Sequence, residues 1–336
     1  MELGLTTFAE RHAVSDRPAP NAGERLREVV AEAVAAEQAG LDVYGVGEHH
    51  REDFAVSAPA VVLAAIAGRT ERIQLTSAVS VLSSDDPVRL YQQFATLDLL
   101  SSGRAELMAG RGSFVESFPL FGFDLGDYDA LFEEKLALLL RLRADEPVTW
   151  SGQFRAPLQD AVVYPRTDRP LPIWIAVGGS PESVARAGLL GLPLAIAIIG
   201  GQPARFRPLV DLYHRALEQG GHEPRPIAVH AHGYVADTEE QAVADFYAPY
   251  AAAMSGLGRE RGWAPMTPAQ FDAMRGPDGS LFVGDPDRVA EKIADVRDTL
   301  GLDRFMLHPS VGTLPHEKVL RTIDLLGGKV APLVRF

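Results

Sequence analysis

Directly after the apolar run Leu41–Val46 the chain reads Glu48-His49-His50-Arg51-Glu52-Asp53, a concentration of ionisable side chains at the end of a candidate buried strand. A neutral imidazole near its pKa can pass a proton or hydrogen-bond a developing anion. Successive side chains of a strand point to opposite faces, so His49 and His50 share a mouth only if the strand has ended before them. One is then a chemical group and the other a structural neighbour. Adjacent histidines in a loop are otherwise ordinary polar surface.

Two further sets could hold an anion. Gly178-Gly179-Ser180-Pro181-Glu182-Ser183 follows the strand-like run Ile173–Val177. Paired glycines let the backbone approach a ligand, and Pro181 suits a first helical turn. The free N–H groups of that helix start, with the serine hydroxyls, make a phosphate seat. The plainer reading is that Ser180 caps its helix. Arg111, between Gly110 and Gly112, could clamp the same phosphate bidentately, or stand as a surface arginine in a turn. A last pair, His230 and His232, has the spacing that puts both rings on one strand face, as in metal-dependent hydrolases. Such a site also wants a carboxylate at the end of the last strand, where Leu307-His308-Pro309 stands, so a core or pocket-lining pair is the better reading.

The elements that must position these residues alternate. Strands are expected at Leu3–Thr7, Leu41–Val46, Ile73–Leu82, Arg104–Ala109, Ile173–Val177, Leu194–Ile199, Ile227–Val235 and Arg304–Leu307. Helices are expected between them at Glu24–Ala39, Pro59–Arg69, Asp86–Leu100, Tyr128–Arg143, Pro181–Leu190, Phe206–Gln219, Thr238–Ala248, Asp285–Leu300 and His316–Leu326. Eight strands alternating with helices predict a single-domain α/β fold, a (β/α)8 TIM barrel, with insertions after strand 4 and strand 7. The first insertion, Val148–Pro172, reads as a hairpin, and the second, Pro249–Leu281, is rich in Gly, Pro and Met and shows no clear period. An open doubly wound sheet would want a glycine fingerprint after the first strand, and Leu3–Thr7 is followed by none.

Composition excludes several classes. The 336 residues carry a formal net charge of -13, which argues against general affinity for nucleic acid or anionic membranes. With no cysteine, thiolate catalysis, disulfides and zinc–cysteine sites are absent. The longest apolar stretch, Leu189–Gly201, is shorter than the roughly 20 residues a membrane span needs. The N-terminus lacks a secretory pattern, so a cytoplasmic protein is expected.

Together these residues resemble the bacterial luciferase-like family of flavin-dependent monooxygenases. The matching runs are GLDVYGVGEHH, AVSVLSSDDPVRLYQQFATLDLLSSGR, AGRGSF and IAVGGSPESVARAGLLGLPLAIA, with VGDPDRVAEKI nearer the C-terminus. The resemblance implies bound or co-substrate FMN in its reduced form, dioxygen, and a small organic substrate. It implies that His49 is the catalytic histidine. It also implies that Arg111, Gly178, Gly179, Ser180 and Ser183 hold the FMN phosphate, and that Ala78–Val79 is a cis peptide beneath the flavin ring. A mobile lid over Pro249–Leu281, a homodimer formed through the early barrel helices, and a separate flavin reductase as supplier are implied as well. The luciferase reactive cysteine has no counterpart, and Gly179 stands where luciferase has a carboxylate, so aldehyde oxidation and light emission are not implied. A deazaflavin-dependent hydride-transfer enzyme, a flavin-binding protein without turnover, and a metal hydrolase using His230 and His232 are the other readings.

Overall fold

The computed structural model describes residues 1–12, 19–112, 114–144, 147–312 and 314–335. Eight parallel strands close into a barrel: β1 (Glu2–Thr7), β2 (Val43–Val46), β3 (Gln74–Ser77), β4 (Ala105–Gly110), β5 (Ile173–Val177), β6 (Leu194–Ile198), β7 (Ile227–Val235) and β8 (Arg304–His308). Each pairs with the next, and β8 pairs with β1 through Leu3↔Phe305, so no barrel edge is left open. This is the (β/α)8 architecture predicted from the alternation.

Parallel strands are covered on both faces, which is why they read as continuous apolar runs. Their outward residues, such as Leu75, Leu107, Ile175, Ile196 and Val229, join the helices in one large core. Inside the barrel a smaller cluster of Val43, Met108, Trp174, Ala195, Ala228 and Met306 fills the lower half. Beneath it Arg304 reaches across from β8 to β4. Its guanidinium donates to both Glu106 carboxylate oxygens at 2.6 and 3.1 Å and to Glu2 at 2.6 Å, with its carbon 4.5 Å from the Trp174 ring centroid.

The helices start and stop where their chemistry dictates. Asp86 accepts from the Val88 and Arg89 N–H groups ahead of the helix Pro87–Leu100, and Asp285 accepts from Arg288 N ahead of Pro286–Leu300. The expected hairpin after strand 4 is present as Val148–Trp150 antiparallel to Leu158–Ala161.

Three expectations change. The single strand Ile73–Leu82 is broken: β3 ends at Ser77, the Ala78–Val79 peptide is cis, and a short piece, Ser80–Val81, resumes against β4. An extra strand, Phe282–Gly284, pairs outside the closed ring with β7. The helix expected to stop at Ala248 runs from Glu239 to Arg261, through Pro249. A proline ends most helices because it lacks an N–H and crowds the preceding turn. Here the helix continues all the same, and its Pro249 carbonyl packs against Gly312, where a Cβ would lie 2.0 Å from that oxygen. A second helix, Pro268–Arg275, follows behind a Thr267–Gln270 capping box, so the stretch without period is a helical pair. Among the described residues no helix is long and apolar enough to cross a membrane.

Arg304 and Glu106 are buried, 2% and 7% exposed. Arg304→Met should lower stability by about 3–5 kcal/mol, since it strands a carboxylate in the barrel floor. Urea unfolding of parent and variant measures this, and matching midpoints would contradict it.

Candidate functional site

At the C-terminal ends of the strands lies a cavity of about 1710 Å³. Pockets for one small ligand run to roughly 300–1,000 Å³, so this open cavity is larger than a single small ligand needs. The space exists because the upper inward positions are small: Ala78, Gly110, Ala176 and Ala197 line it above the Met108 and Met306 floor.

β2 ends at Val46, three residues before His49, so the two histidines stand on a loop and both border the cavity. His49 is 8% exposed and stacks on Phe54 at a centroid distance of 4.1 Å, with the edges of Phe8 and Phe114 at 5.0 and 4.8 Å. Its Nδ1 lies 3.5 Å from Glu116 Oε1, which also accepts the His50 backbone N–H at 3.3 Å. Burial raises the Glu116 pKa, but the His49 contact and the backbone N–H groups outweigh it and hold the carboxyl below its ordinary range. His50 turns the other way, donating from Nε2 to Glu48 at 2.8 Å, and that bond raises its pKa against the effect of burial. The other Glu48 oxygen accepts the Val81 N–H at 2.9 Å, fastening the histidine loop to the segment beyond the cis peptide.

Around the barrel, β4 and β5 bring Arg111 and the Gly178–Ser183 loop to the same rim. Arg111 pairs with Asp129 and lies 5.2 Å over the Tyr128 ring, whose hydroxyl donates to Gly112 O at 2.5 Å. Gly179 has φ +123°, a conformation L side chains rarely adopt, and a Cβ on Gly178 would meet nothing within 4 Å. Ser180 caps the helix Pro181–Leu189 by accepting from Ser183 N at 3.3 Å, and its hydroxyl donates to the exposed Glu182 at 2.8 Å. The cap reading of Ser180 therefore holds, and the backbone at Gly178 is open on its Cβ side. Asp129 and Glu182 are exposed acids close enough to feel the Arg111 charge.

Across the mouth, β7, β8 and the segment after β1 assemble a second polar group. His308 hydrogen-bonds Glu10 through Nε2 at 2.5 Å and Thr6 through Nδ1 at 3.0 Å, and Ser310 donates to Glu10 at 2.7 Å. Burial raises the fully enclosed Glu10, yet His308 and these bonds together hold its pKa at about 2. The His308 ring lies 5.3 Å from His230 and 5.4 Å from His232. Both His308 nitrogens are engaged in these bonds. Among the described residues the ligand atoms of Glu28, Glu32 and His316 do come within 4.8 Å of one another, and Arg25 already bonds both carboxylates.

The cavity is roofed by the helical pair. Arg51 donates to Glu260 at 2.5 and 2.8 Å, tying the histidine loop to the end of the helix Glu239–Arg261. Sequence reasoning missed Glu116, Glu10, Phe54 and Tyr250. Glu10, just past a strand end, and Phe54, directly after the Glu48–Asp53 cluster, carried readable signals; Glu116 and Tyr250 meet the histidines from distant segments.

The family model of luciferase-like monooxygenases matches residues 1–304. Over 173 residues the chain is 36% identical to an F420-dependent glucose-6-phosphate dehydrogenase of Beutenbergia cavernae, covering 49% of this chain and 51% of that protein. Among solved structures it is similar to the monooxygenase RslO1 from Streptomyces bottropensis, at 25% identity and TM-score 0.85, with 99% of each chain covered. It is also similar in fold to the FMN complex of the oxygenating constituent of 3,6-diketocamphane monooxygenase from Pseudomonas putida. There the identity is 20% and the TM-score 0.79, over 99% of this chain and 98% of that one.

Burial, then the neighbouring His308, pushes His232 from its ordinary 6.5 down to about 3, and His230 falls well below 6.5 for the same reasons. Between those values the unfolded chain takes up protons that the folded chain refuses, so stability present above pH 6.5 is lost as pH falls. Glu10 adds a lower window, from its ordinary 4.5 down to about 2. Urea midpoints from pH 7 to 4 should therefore fall less in His232→Leu than in the parent. Parallel curves would remove His232 from this balance.

Proposed function

The chain belongs to the luciferase-like monooxygenase family and is an oxidoreductase, and from that premise we propose that it oxygenates a small organic molecule with reduced FMN and dioxygen. The observation that carries this reading is the placement of His49, the Ala78–Val79 floor, Arg111 and Gly178, which leads into the Ser180-capped helix, at the ends of consecutive strands around one cavity. When bound, FMN supplies the electrons that activate dioxygen. The chain's own residues do the rest. Arg111, the backbone of Gly178 and Gly179, and the hydroxyls of Ser180 and Ser183 hold the phosphate. Ala78 and Val79 support the ring, and His49, steadied by Phe54 and Glu116, offers Nε2 as the proton-handling atom. The roof helices limit water, which keeps a reactive cofactor from being spent on solvent.

Reduced FMN from a separate flavin reductase fits a sequence with no glycine-rich nicotinamide fingerprint. Val61, Leu99 and Leu100, exposed on the helices Pro59–Ala67 and Pro87–Leu100, favour a homodimer through those early helices. A deazaflavin cofactor is the second reading, favoured by the F420-dependent relative. Absorbance titration with FMN and with F420 in parallel decides between them.

Arg111→Ala should weaken FMN binding about tenfold, the loss of a charge-assisted phosphate contact. Asp129→Asn should tighten it a few-fold by releasing Arg111 from its exposed ion pair. Unchanged titrations would take Arg111 out of the site. His49→Ala should leave FMN binding intact and alter the rate at which the reduced complex reoxidises in air. Coinciding stopped-flow traces would remove that role and favour a flavin-binding protein without turnover.

A further inference from the structure

The phosphate seat and His49 occupy the β2–β5 side of the mouth, and the β7–β8–β1 side carries polar groups that this chemistry does not use. Three buried polar atoms there have no hydrogen-bond partner: His230 Nε2, His232 Nδ1 and the Tyr250 hydroxyl. All three residues line the cavity. His232 is 6% exposed and Tyr250 fully buried, with their ring centroids 5.9 Å apart. Buried polar atoms in folded proteins are nearly always paired, so three together on one cavity wall mark a place where a ligand completes the set.

Each of these atoms is fixed by structure. His230 and His232 lie two residues apart on β7, so both project inward, paired in register with Met306 and His308 of β8. Tyr250 is brought over them by the helix that continues through Pro249, and Phe246 stacks on its ring at 5.3 Å. His308 holds neither orphan atom, because Thr6 and Glu10 take both of its nitrogens.

We propose that His230, His232 and Tyr250 form the substrate-recognising wall, and that it takes an uncharged, largely apolar molecule through a hydroxyl or carbonyl oxygen. The inference rests on the oxygenase reading for calling this molecule the substrate, but the wall itself is argued from these three groups alone. A phenol and two neutral imidazoles can both donate and accept, which suits hydroxyl and carbonyl oxygens equally. Burial pushes both imidazoles far below their ordinary pKa, so they bring no positive charge to meet an anion. The rings in contact with them are those of Phe8, His308 and Tyr250, and the carboxylate behind His308 would repel an anion further. Met254, Met266 and Met274 complete the cavity on the roof side, flexible apolar side chains that adapt to a ligand's shape.

Equilibrium dialysis of the full chain at pH 8 against 1-naphthol, naphthalene and 1-naphthoate tests this, each with and without added FMN. The parent should bind 1-naphthol about tenfold more tightly than naphthalene, because the hydroxyl satisfies otherwise stranded groups. It should bind 1-naphthoate no better than naphthalene. Tyr250→Phe and His232→Leu should each cut the naphthol preference severalfold and leave naphthalene and FMN binding unmoved. Equal binding of naphthol and naphthalene by the parent overturns the wall, as does tightest binding of naphthoate. So does an undiminished naphthol preference in both variants. A naphthol preference that survives while FMN fails to bind supports the wall and overturns the flavin reading. Normal FMN binding with no naphthol preference does the reverse.

Discussion

Arg304 on β8 and Glu106 on β4 meet across the barrel floor with two hydrogen bonds, and the interior is built upward from that contact. A ring of eight parallel strands has no edge to expose, so it must fill its own inside, and here it does so unevenly. Trp174 over the Arg304 guanidinium, then Met108, Met306 and Val43, close the lower half. In the next layer the inward positions shrink to Gly45, Ala78, Gly110 and Ala176. A Cβ on Gly45 would come within 3.0 Å of both the Ala78 and Thr6 side chains, and one on Gly110 within 2.7 Å of Val79. These glycines are required for the strands and the cis peptide to pack together. The cavity is the space that this change of residue size leaves above a sealed floor.

The same change of layer divides the mouth chemically. One side has backbone amides, a guanidinium and exposed acids, groups that exchange partners with an incoming anion at little desolvation cost. The other has imidazoles with enclosed nitrogens, a buried phenol and an enclosed carboxylate, whose desolvation makes charge expensive and uncharged hydrogen bonds strong. A reaction that needs a phosphate-bearing cofactor beside an apolar organic molecule needs that division. Barrel geometry supplies it because strands three or four places apart face each other over the opening.

How much of this was legible in the sequence follows from how local each signal is. Tyr128–Arg143, Ile173–Val177, Ile227–Val235 and the capped helix after Asp285 depend on periodicity and neighbours within a few residues, and their spans match expectation closely. The pairing of Arg111 with Asp129 depends on which rotamer meets which, and periodicity says nothing of that. The Glu10–His308–Ser310 group joins residues about 300 positions apart, visible only once β8 closes against β1. Helix Glu239–Arg261 was cut short because the local rule about Pro249 is sound in isolation. Tertiary packing overrides it: the continued helix sets the Pro249 carbonyl against Gly312, a residue 63 positions later on another loop that leaves no room for a Cβ.

That override bears on function. The β4–β5 side of the mouth is written in short runs legible in the sequence: a strand end, two glycines, a serine and a proline. The opposite wall depends on a helix that passes through a proline, on a distant glycine packed against that proline's carbonyl, and on three strands that meet only at closure. Without the continuous helix Tyr250 would not lie over His232, and without the β8–β1 pairing His308 would have no Glu10 to hold it.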